Sequence, residues 1–548
     1  MAQTFDFGGC SFDLPLCIKL LKQDLKDDWF PDPIRYEECL KPDIIHAYLE
    51  ENISSNHGSY KPESAEIFNV PKKGFLLRYA LETNIYDRLI YVALINELLP
   101  YYDPLLSKNS FSHRRRDDSR SNNKYIFKNG IEQFKSFEGL IKEASSEGKT
   151  LLVTDVFNYF ENIQIVQLRS CLEVRIPQLK ANTAEKIKIR RVIDLLCNYL
   201  ESWTYNGKNG LPQNRDSSSF LANILMDSVD KEMESCGYQY FRYMDDIRIV
   251  CTTHLKARQA LKLLSESLRK VGLNLNSAKT KIGRLNDIEI KNSFINLDRD
   301  LESIDQMWKS KSLTLIKKSI PYLKKYTLTQ IAKNAAGDRG FRFAIKRIEG
   351  VVSCDELDVP KNFFDEITDK VIEELNTNPT ATDSFVKYLS FVSLSLEQEN
   401  KLIDFLCDGE QAIYSWQNYR IWSLLILRNV KSEKLLTLAK DFLQSPTHKP
   451  ANEASKILYL GKFGTKVCRQ NIALKFPEIK STWLQRLALI ALKELSYNDG
   501  ISKIANYSKS STKGTYKRVY NNPAFAAYIL PPEKTNYADL YDEVSIYD

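Results

Sequence analysis

The feature that most limits what this chain can fold into is the tetrapeptide Tyr243-Met244-Asp245-Asp246. Phe241 and Tyr243 precede it; Ile247, Ile249 and Val250 follow the two aspartates. Aromatic and β-branched residues suit a pleated surface, so the pattern predicts a strand over 239–243, a turn, and a second strand over 247–252. Two adjacent carboxylates then stand at the tip of a rigid hairpin. An Asp-Asp turn is ordinarily a solvated one, since Asp is a common turn residue. The other outcome is a cation site, which needs a further carboxylate and a hard divalent ion such as Mg²⁺, a taker of carboxylate and phosphate oxygens.

A further carboxylate stands upstream. Thr150-Leu151-Leu152-Val153-Thr154-Asp155 is an apolar run ending in an acid, the pattern of a buried strand that delivers Asp155 at its C-terminal end. Taken alone, Asp155 reads as well as a helix cap. Between it and the hairpin lies the loop Gly210-Leu211-Pro212-Gln213-Asn214-Arg215, which runs into a helix with small residues on its first turns. Beyond the hairpin, a basic amphipathic helix over 255–271 ends at Gly272. Leu273-Asn274-Leu275 and Lys279-Thr280-Lys281 come next.

Upstream, Leu81, Ile85, Leu89, Val92 and Leu99 recur at helical spacing over 74–105, and Pro100 or Pro104 closes the run. Arg78 and Arg88 lie on or beside that helix. His113-Arg114-Arg115-Arg116 follows. An arginine triplet is usually an exposed basic turn, but forked guanidinium groups also suit a triphosphate or a nucleic-acid backbone.

The length of 548 residues implies two to four domains. No apolar run of about 18 residues predicts a transmembrane helix, and the opening residues do not read as a secretory signal. Ten cysteines fall singly with no CxxC pair, and the five histidines are dispersed. That spread suits reduced thiols rather than disulfides or a zinc site. A net charge of +7 permits nucleic-acid binding without demonstrating it. From about 300 to 500 helical patterns succeed one another. Tyr419-Arg420-Ile421-Trp422 and Gln485-Arg486-Leu487-Ala488 occupy like places in two of them. Their spacing hints at helix pairs of about 33 residues, as in α-solenoids; an irregular helical domain reads almost as well. The final stretch, 501–548, holds seven of the chain's 29 tyrosines: Tyr507, Tyr516, Tyr520, Tyr528, Tyr537, Tyr541 and Tyr547.

The aspartate after the strand, the Gly-Leu-Pro-Gln loop, the Tyr-Met-Asp-Asp hairpin and the Lys-Thr-Lys segment stand in the order of palm motifs A to D. In this the chain resembles reverse transcriptases. The resemblance implies an α+β fingers–palm domain, with an antiparallel palm sheet and helices. It implies that Asp155, Asp245 and Asp246 are catalytic and hold two Mg²⁺ per active site, or Mn²⁺, together with the Val156 carbonyl. Lys279 becomes the proton donor to the leaving pyrophosphate, with Lys281 as substitute. Phe160, five residues after Asp155, takes the place of an aromatic gate against a sugar 2′-hydroxyl; plain core packing is its other reading. Gln213 resembles the motif B glutamine near the incoming nucleotide, but Asn214 stands where the family usually has Gly. Arg78, Arg88 and Arg114 become fingers residues for the triphosphate.

No thumb is evident after residue 290. Helical repeats in its place look like those of the bacterial abortive-infection and phage-defence reverse transcriptases. That similarity implies an all-α HEAT-like domain, a cytoplasmic bacterial protein, and a homo-oligomer, trimer or hexamer, without membrane association. It also implies deoxynucleoside triphosphates as substrates, a DNA product attached covalently to a protein tyrosine, and for some members a non-coding RNA partner. The expected organisation is a helical extension over 1–70, fingers and palm over 71–295, helical repeats over 296–500 and a tyrosine-rich tail over 501–548. Two other readings stand beside it: a conventional RNA-templated enzyme of a retroelement, and an inactive helical scaffold.

Overall fold

The computed structural model describes residues 4–116, 126–145, 148–287, 290, 299–333, 335–336, 338–360, 362–444, 450–522, 525–536 and 540. The chain forms two compact units. Residues 1–28, 42–67 and 80–296 make the first; 29–41, 68–79 and 297–548 make the second. The boundaries drawn from sequence at 70 and 500 therefore do not coincide with this division.

The first unit begins with strands β1 (Thr4–Phe7) and β2 (Cys10–Asp13), which pair antiparallel, then helices α1 (Leu14–Asp24) and α2 (Pro42–Ser55). Strands β3 (Glu66–Lys72) and β4 (Leu76–Glu82) pair with each other. Helix α3 (Ile85–Tyr102) follows, and Asn84 caps it by accepting from the amides of Tyr86 and Asp87. The helix expected over 74–105 thus starts later. Its first residues are a strand, because Gly74 (φ 79°) and Phe75 (φ 62°) turn the chain and Asn84 sets the true helix start.

The centre of this unit is a four-stranded sheet in the order β6-β7-β5-β8. Its strands are β5 (Thr150–Asp155), β6 (Gln239–Tyr243), β7 (Asp246–Cys251) and β8 (Lys281–Gly283), and each pairing is antiparallel. Strand β5 is buried at every residue, as its unbroken apolar run demands. Helices α4 (Gly130–Ala144), α5 (Tyr159–Asn162), α6 (Ile165–Arg175), α7 (Thr183–Ser202), α8 (Asp216–Ser235) and α9 (His254–Lys270) complete it.

The second unit takes in most of β3 (residues 68–72) and of β4 (residues 76–79), and its other regular elements among the described residues are helices. Its helices form pairs that stack in two rows. One row runs through Arg339–Ser353, Thr382–Phe391, Ser415–Leu427, Pro450–Phe463 and Thr482–Ala491. The other runs through Leu313–Ala332, Asp365–Glu373, Leu396–Cys407, Glu433–Gln444 and Lys466–Lys475. Each helix touches its pair-mate and the next helix of its own row. Trp29–Lys41 is built into this unit. Arg486 bonds both carboxyl oxygens of Asp32 at 2.8 Å and also contacts Glu38. Trp416 donates its indole N–H to the Trp29 carbonyl at 2.7 Å.

Candidate active site

Three acidic side chains converge at one end of the central sheet. In the β5–β7 ladder Asp155 lies directly opposite Asp246, and in the β6–β7 ladder Asp246 lies opposite Tyr243. Directly opposed residues of an antiparallel pair hold their Cβ atoms about 5 Å apart. Asp245 occupies the turn, where Met244 takes a left-handed conformation (φ 55°), and its carbonyl accepts the Val156 amide at 3.2 Å. Asp155 is buried, while Asp245 and Asp246 are half-buried. Burial, then the charges of Asp246 and Asp155, push the Asp245 carboxyl up to about 6. Such crowding of like charges is characteristic of functional sites.

The loop after α9 closes the far side. The Asn276 amide donates to the Asp155 carbonyl at 2.9 Å, and the Thr280 and Thr154 hydroxyls bond at 2.7 Å. These contacts bring the Lys279 ammonium onto Asp155 Oδ2. Burial pulls the lysine's pKa down, but the bond to Asp155 and the three acidic charges outweigh it and raise it.

Asp155 Oδ1 is buried and has no hydrogen-bond partner. Among the described residues no three or more His, Cys, Asp and Glu side chains form a ready-made metal cage. The donor set is nonetheless all oxygen and acidic, with one buried carboxylate oxygen unsatisfied, and that fits a hard divalent cation.

Residues 70–323 match the family of the reverse transcriptase (RNA-dependent DNA polymerase) domain. The match runs from β3 through the whole central sheet and takes in Asp155, Asp245, Asp246 and Lys279. No curated protein matches the chain. Among the described residues no helix is long and apolar enough to cross a membrane.

The other expected site residues of the reverse transcriptase domain fall into three groups. Phe160 and Gln213 lie on adjoining segments. Phe160 is half-buried on α5, its ring 5.2 Å from Tyr159, and its carbonyl accepts the Leu211 amide at 3.1 Å. Gln213 is buried and donates to the Tyr205 hydroxyl at 3.3 Å. Asn214 has φ 57°, a conformation that glycine adopts freely and asparagine tolerates. Gly210 (φ 100°) admits no such side chain, since a Cβ there would meet the Tyr205 ring at 2.4 Å.

The arginines behave differently. Arg88 is buried and its guanidinium is held by Asp24 (2.8 Å) and Asp28 (2.9 Å). Arg114 donates to Asp103 at 2.9 Å and to the carbonyls of Ser107 and Ser110. Both are locked into internal pairs rather than presented to the acidic triad. Arg78 is exposed on strand β4 rather than on a helix, and its guanidinium stacks 5.5 Å from the Trp29 ring centre.

In the tail, Tyr516 and Tyr528 are buried and donate their hydroxyls to the carbonyls of Leu495 and Gly461. Tyr507 and Tyr520 are exposed. Tyr537, Tyr541 and Tyr547 lie outside the described residues.

Sequence reasoning missed Arg242. It is fully buried, bonds Asp230 twice (2.8 and 2.7 Å), and donates to Asn223, Ser110 and the Met244 carbonyl at 3.0 Å. The one available signal was an arginine placed among strand residues immediately before the tetrapeptide.

Proposed function

We propose that this chain is a DNA polymerase of reverse-transcriptase type that joins deoxynucleotides at Asp155, Asp245 and Asp246. The observation that carries the reading is the buried, unpartnered Asp155 Oδ1, opposite Asp246 and beside Asp245, within a stretch matching reverse transcriptases. Asp155, Asp245 and the Val156 carbonyl would hold two Mg²⁺ ions, with Asp246 beside them; the ions would offset triphosphate charge and lower the pKa of the attacking hydroxyl.

The chain's own residues do the rest. The attacking hydroxyl gives its proton to water as its oxygen bonds the α-phosphorus, and the bond from that phosphorus to the β-phosphate oxygen breaks. Lys279 Nζ holds the proton that passes to the departing pyrophosphate. The Phe160 ring takes the space a 2′-hydroxyl would need, which favours deoxynucleotides. Gln213, fixed by Tyr205, lines the nucleotide's side of the pocket.

The stacked helix pairs of the second unit support a HEAT-like repeat domain. They also support the likeness to the abortive-infection enzymes, hence a role in anti-phage defence, untemplated or RNA-guided synthesis, and a homo-oligomeric assembly. The exposed Tyr507 and Tyr520 are the described tail residues with hydroxyls available to prime. A phenol of pKa about 10 needs help to ionise, which a metal supplies.

The family's description, RNA-dependent DNA polymerase, favours the second reading, a conventional templated enzyme. Purified protein given labelled deoxynucleoside triphosphates with and without an RNA template separates the two. Incorporation without template, and nucleotide adducts mapped to 501–548 by mass spectrometry, are the expected results. Incorporation retained by D245A would end the reading.

A further inference from the structure

Charge is distributed very unevenly along this chain. From Lys309 to Arg347 the sequence holds eleven lysines and arginines and a single acidic residue, Asp338. The whole chain carries only +7, so all the rest of it is net acidic. Part of the excess is internal to the fold. Arg347 is fully buried, 2.7 Å from Asp305, and Lys309 contacts the other oxygen of that carboxylate. Lys324 lies 3.4 Å from Glu366.

Of what remains, Lys317, Lys318 and Lys325 are displayed on the helix Leu313–Ala332, which contains no Asp or Glu. Thr314, Lys318, Pro321, Tyr322, Lys325 and Thr329 fall on one face of it, and all are exposed. Lys317 stands alongside and Lys333 just past the end, both exposed. Among the described residues Lys317, Lys318, Lys325 and Lys333 pair with no carboxylate. The first helix of a stacked array commonly has a polar outer face for solubility, but such faces mix both signs of charge. This one has a single sign, which is self-repelling unless a polyanion meets it. Tyr322 places an aromatic ring, 52% exposed, amid the lysines.

We propose that this face binds the phosphodiester backbone of single-stranded nucleic acid, with Tyr322 stacking on a base. Lysines along a backbone and an interleaved aromatic are the means by which proteins hold single strands without reading sequence. Only the origin of the strand, as product or template, rests on the polymerase reading.

The test is fluorescence anisotropy with labelled oligo(dT) and oligo(rU), without metal or deoxynucleotides, across a salt series. K317E/K318E/K325E should weaken both by at least roughly tenfold and flatten the salt slope by about 2, the value for three lost contacts to a single strand. The milder K317Q/K318Q/K325Q should shift in the same direction, and Y322A should weaken binding with the slope unchanged. K431E/K440E/K503E, which reverses as many exposed charges elsewhere in the same unit, should change little. Binding lost no further in the K317E/K318E/K325E protein than in that control overturns the proposal. So does retained oligonucleotide binding in a variant that no longer binds anionic-lipid vesicles. Because nothing in the assay requires catalysis, an inactive polymerase centre leaves its outcome unchanged, and D245A in the incorporation assay tests that centre separately.

Discussion

Arg242 and Asp230 form a fully buried pair, joined by hydrogen bonds of 2.8 and 2.7 Å, and the same guanidinium donates to the Met244 carbonyl at the tip of the Asp-Asp hairpin. Tyr240 adds a hydroxyl to Asp230 at 2.9 Å. The pair therefore ties helix α8 to a turn whose left-handed Met244 needs outside support. Removing one member of a buried, hydrogen-bonded ion pair leaves the other uncompensated, at about 3–5 kcal/mol. R242M should lose stability of that order in urea. R242K, which retains charge but not the fork, should fold better yet lower kcat with KM for deoxynucleotides little changed, because the aspartates rather than the nucleotide pocket are misplaced. An unaltered kcat in R242K would show that the turn holds itself.

The acidic cluster gives a pH signature in metal-free protein. The Asp245 carboxyl is pushed up to about 6 in the fold, chiefly by burial and then by Asp246 and Asp155. An unfolded Asp titrates near 3.9. The folded state thus holds the proton more tightly, and this group's stabilisation is complete below pH 4 and lost as pH rises through about 6. In EDTA, D245N should raise Tm relative to wild type at pH 8 and not at pH 4, by an amount worth up to about 3 kcal/mol. Mg²⁺ should raise the wild-type Tm at pH 8, less so at pH 5.5, and least in D245N. Differential scanning fluorimetry across this grid reads all three.

The parts of this site that were legible in the sequence are those written in short-range pattern. The unbroken apolar run ending in Asp155 is a buried strand, and the aromatic and β-branched flanks of Asp245 and Asp246 are β6 and β7. What escaped was set by partners on other elements of the fold. Arg88 reads as a free cation until Asp24 and Asp28, about sixty residues earlier, are found closing on it. Leu76–Glu82 carries enough leucine to pass for helix, and only its pairing with Glu66–Lys72 makes it a strand. Arg242 belongs to the same class, because its buried partner Asp230 lies on a different element.

Phe160 and Asn214 offer a pair of opposite expectations. If the Phe160 ring excludes the 2′-hydroxyl, F160A should raise kcat/KM for ribonucleotides relative to deoxynucleotides by at least roughly tenfold, with stability reduced only modestly since the ring is half-buried. Asn214 has φ 57°, so N214G should fold and polymerise normally, whereas β-branched N214V should cost about 1–2 kcal/mol. Unchanged sugar selectivity in F160A would return Phe160 to plain packing.

Arg215 gives the most demanding prediction, because it joins the fold's beginning to the nucleotide loop. Its guanidinium meets Glu82 at 2.5 Å and Asp28 at 3.1 Å, lies 3.7 Å from Asp24, and donates to the Asn214 carbonyl at 2.8 Å. Arg88 shares Asp24 and Asp28, so two guanidinium groups serve three carboxylates. One acid is in excess. Burial pushes the Glu82 carboxyl up to about 7 despite Arg215, with Asp28 adding to the rise. A raised folded value means this group's stabilisation is lost as pH climbs through about 7. E82Q removes the excess charge while still accepting from Arg215, so it should match wild type at pH 5 and exceed it in urea stability at pH 8. R215M instead strands the acids, and should cost about 3–5 kcal/mol. Because Arg215 holds the Asn214 carbonyl beside Gln213, R215M should also raise KM for deoxynucleotides more than it lowers kcat, the reverse of the split expected for R242K. Segment 1–28 supplies Asp24 and Asp28, so D24N/D28N should shift KM in the same direction. A KM unmoved in both variants, in protein shown by circular dichroism to be folded, would confine the cluster to stability alone.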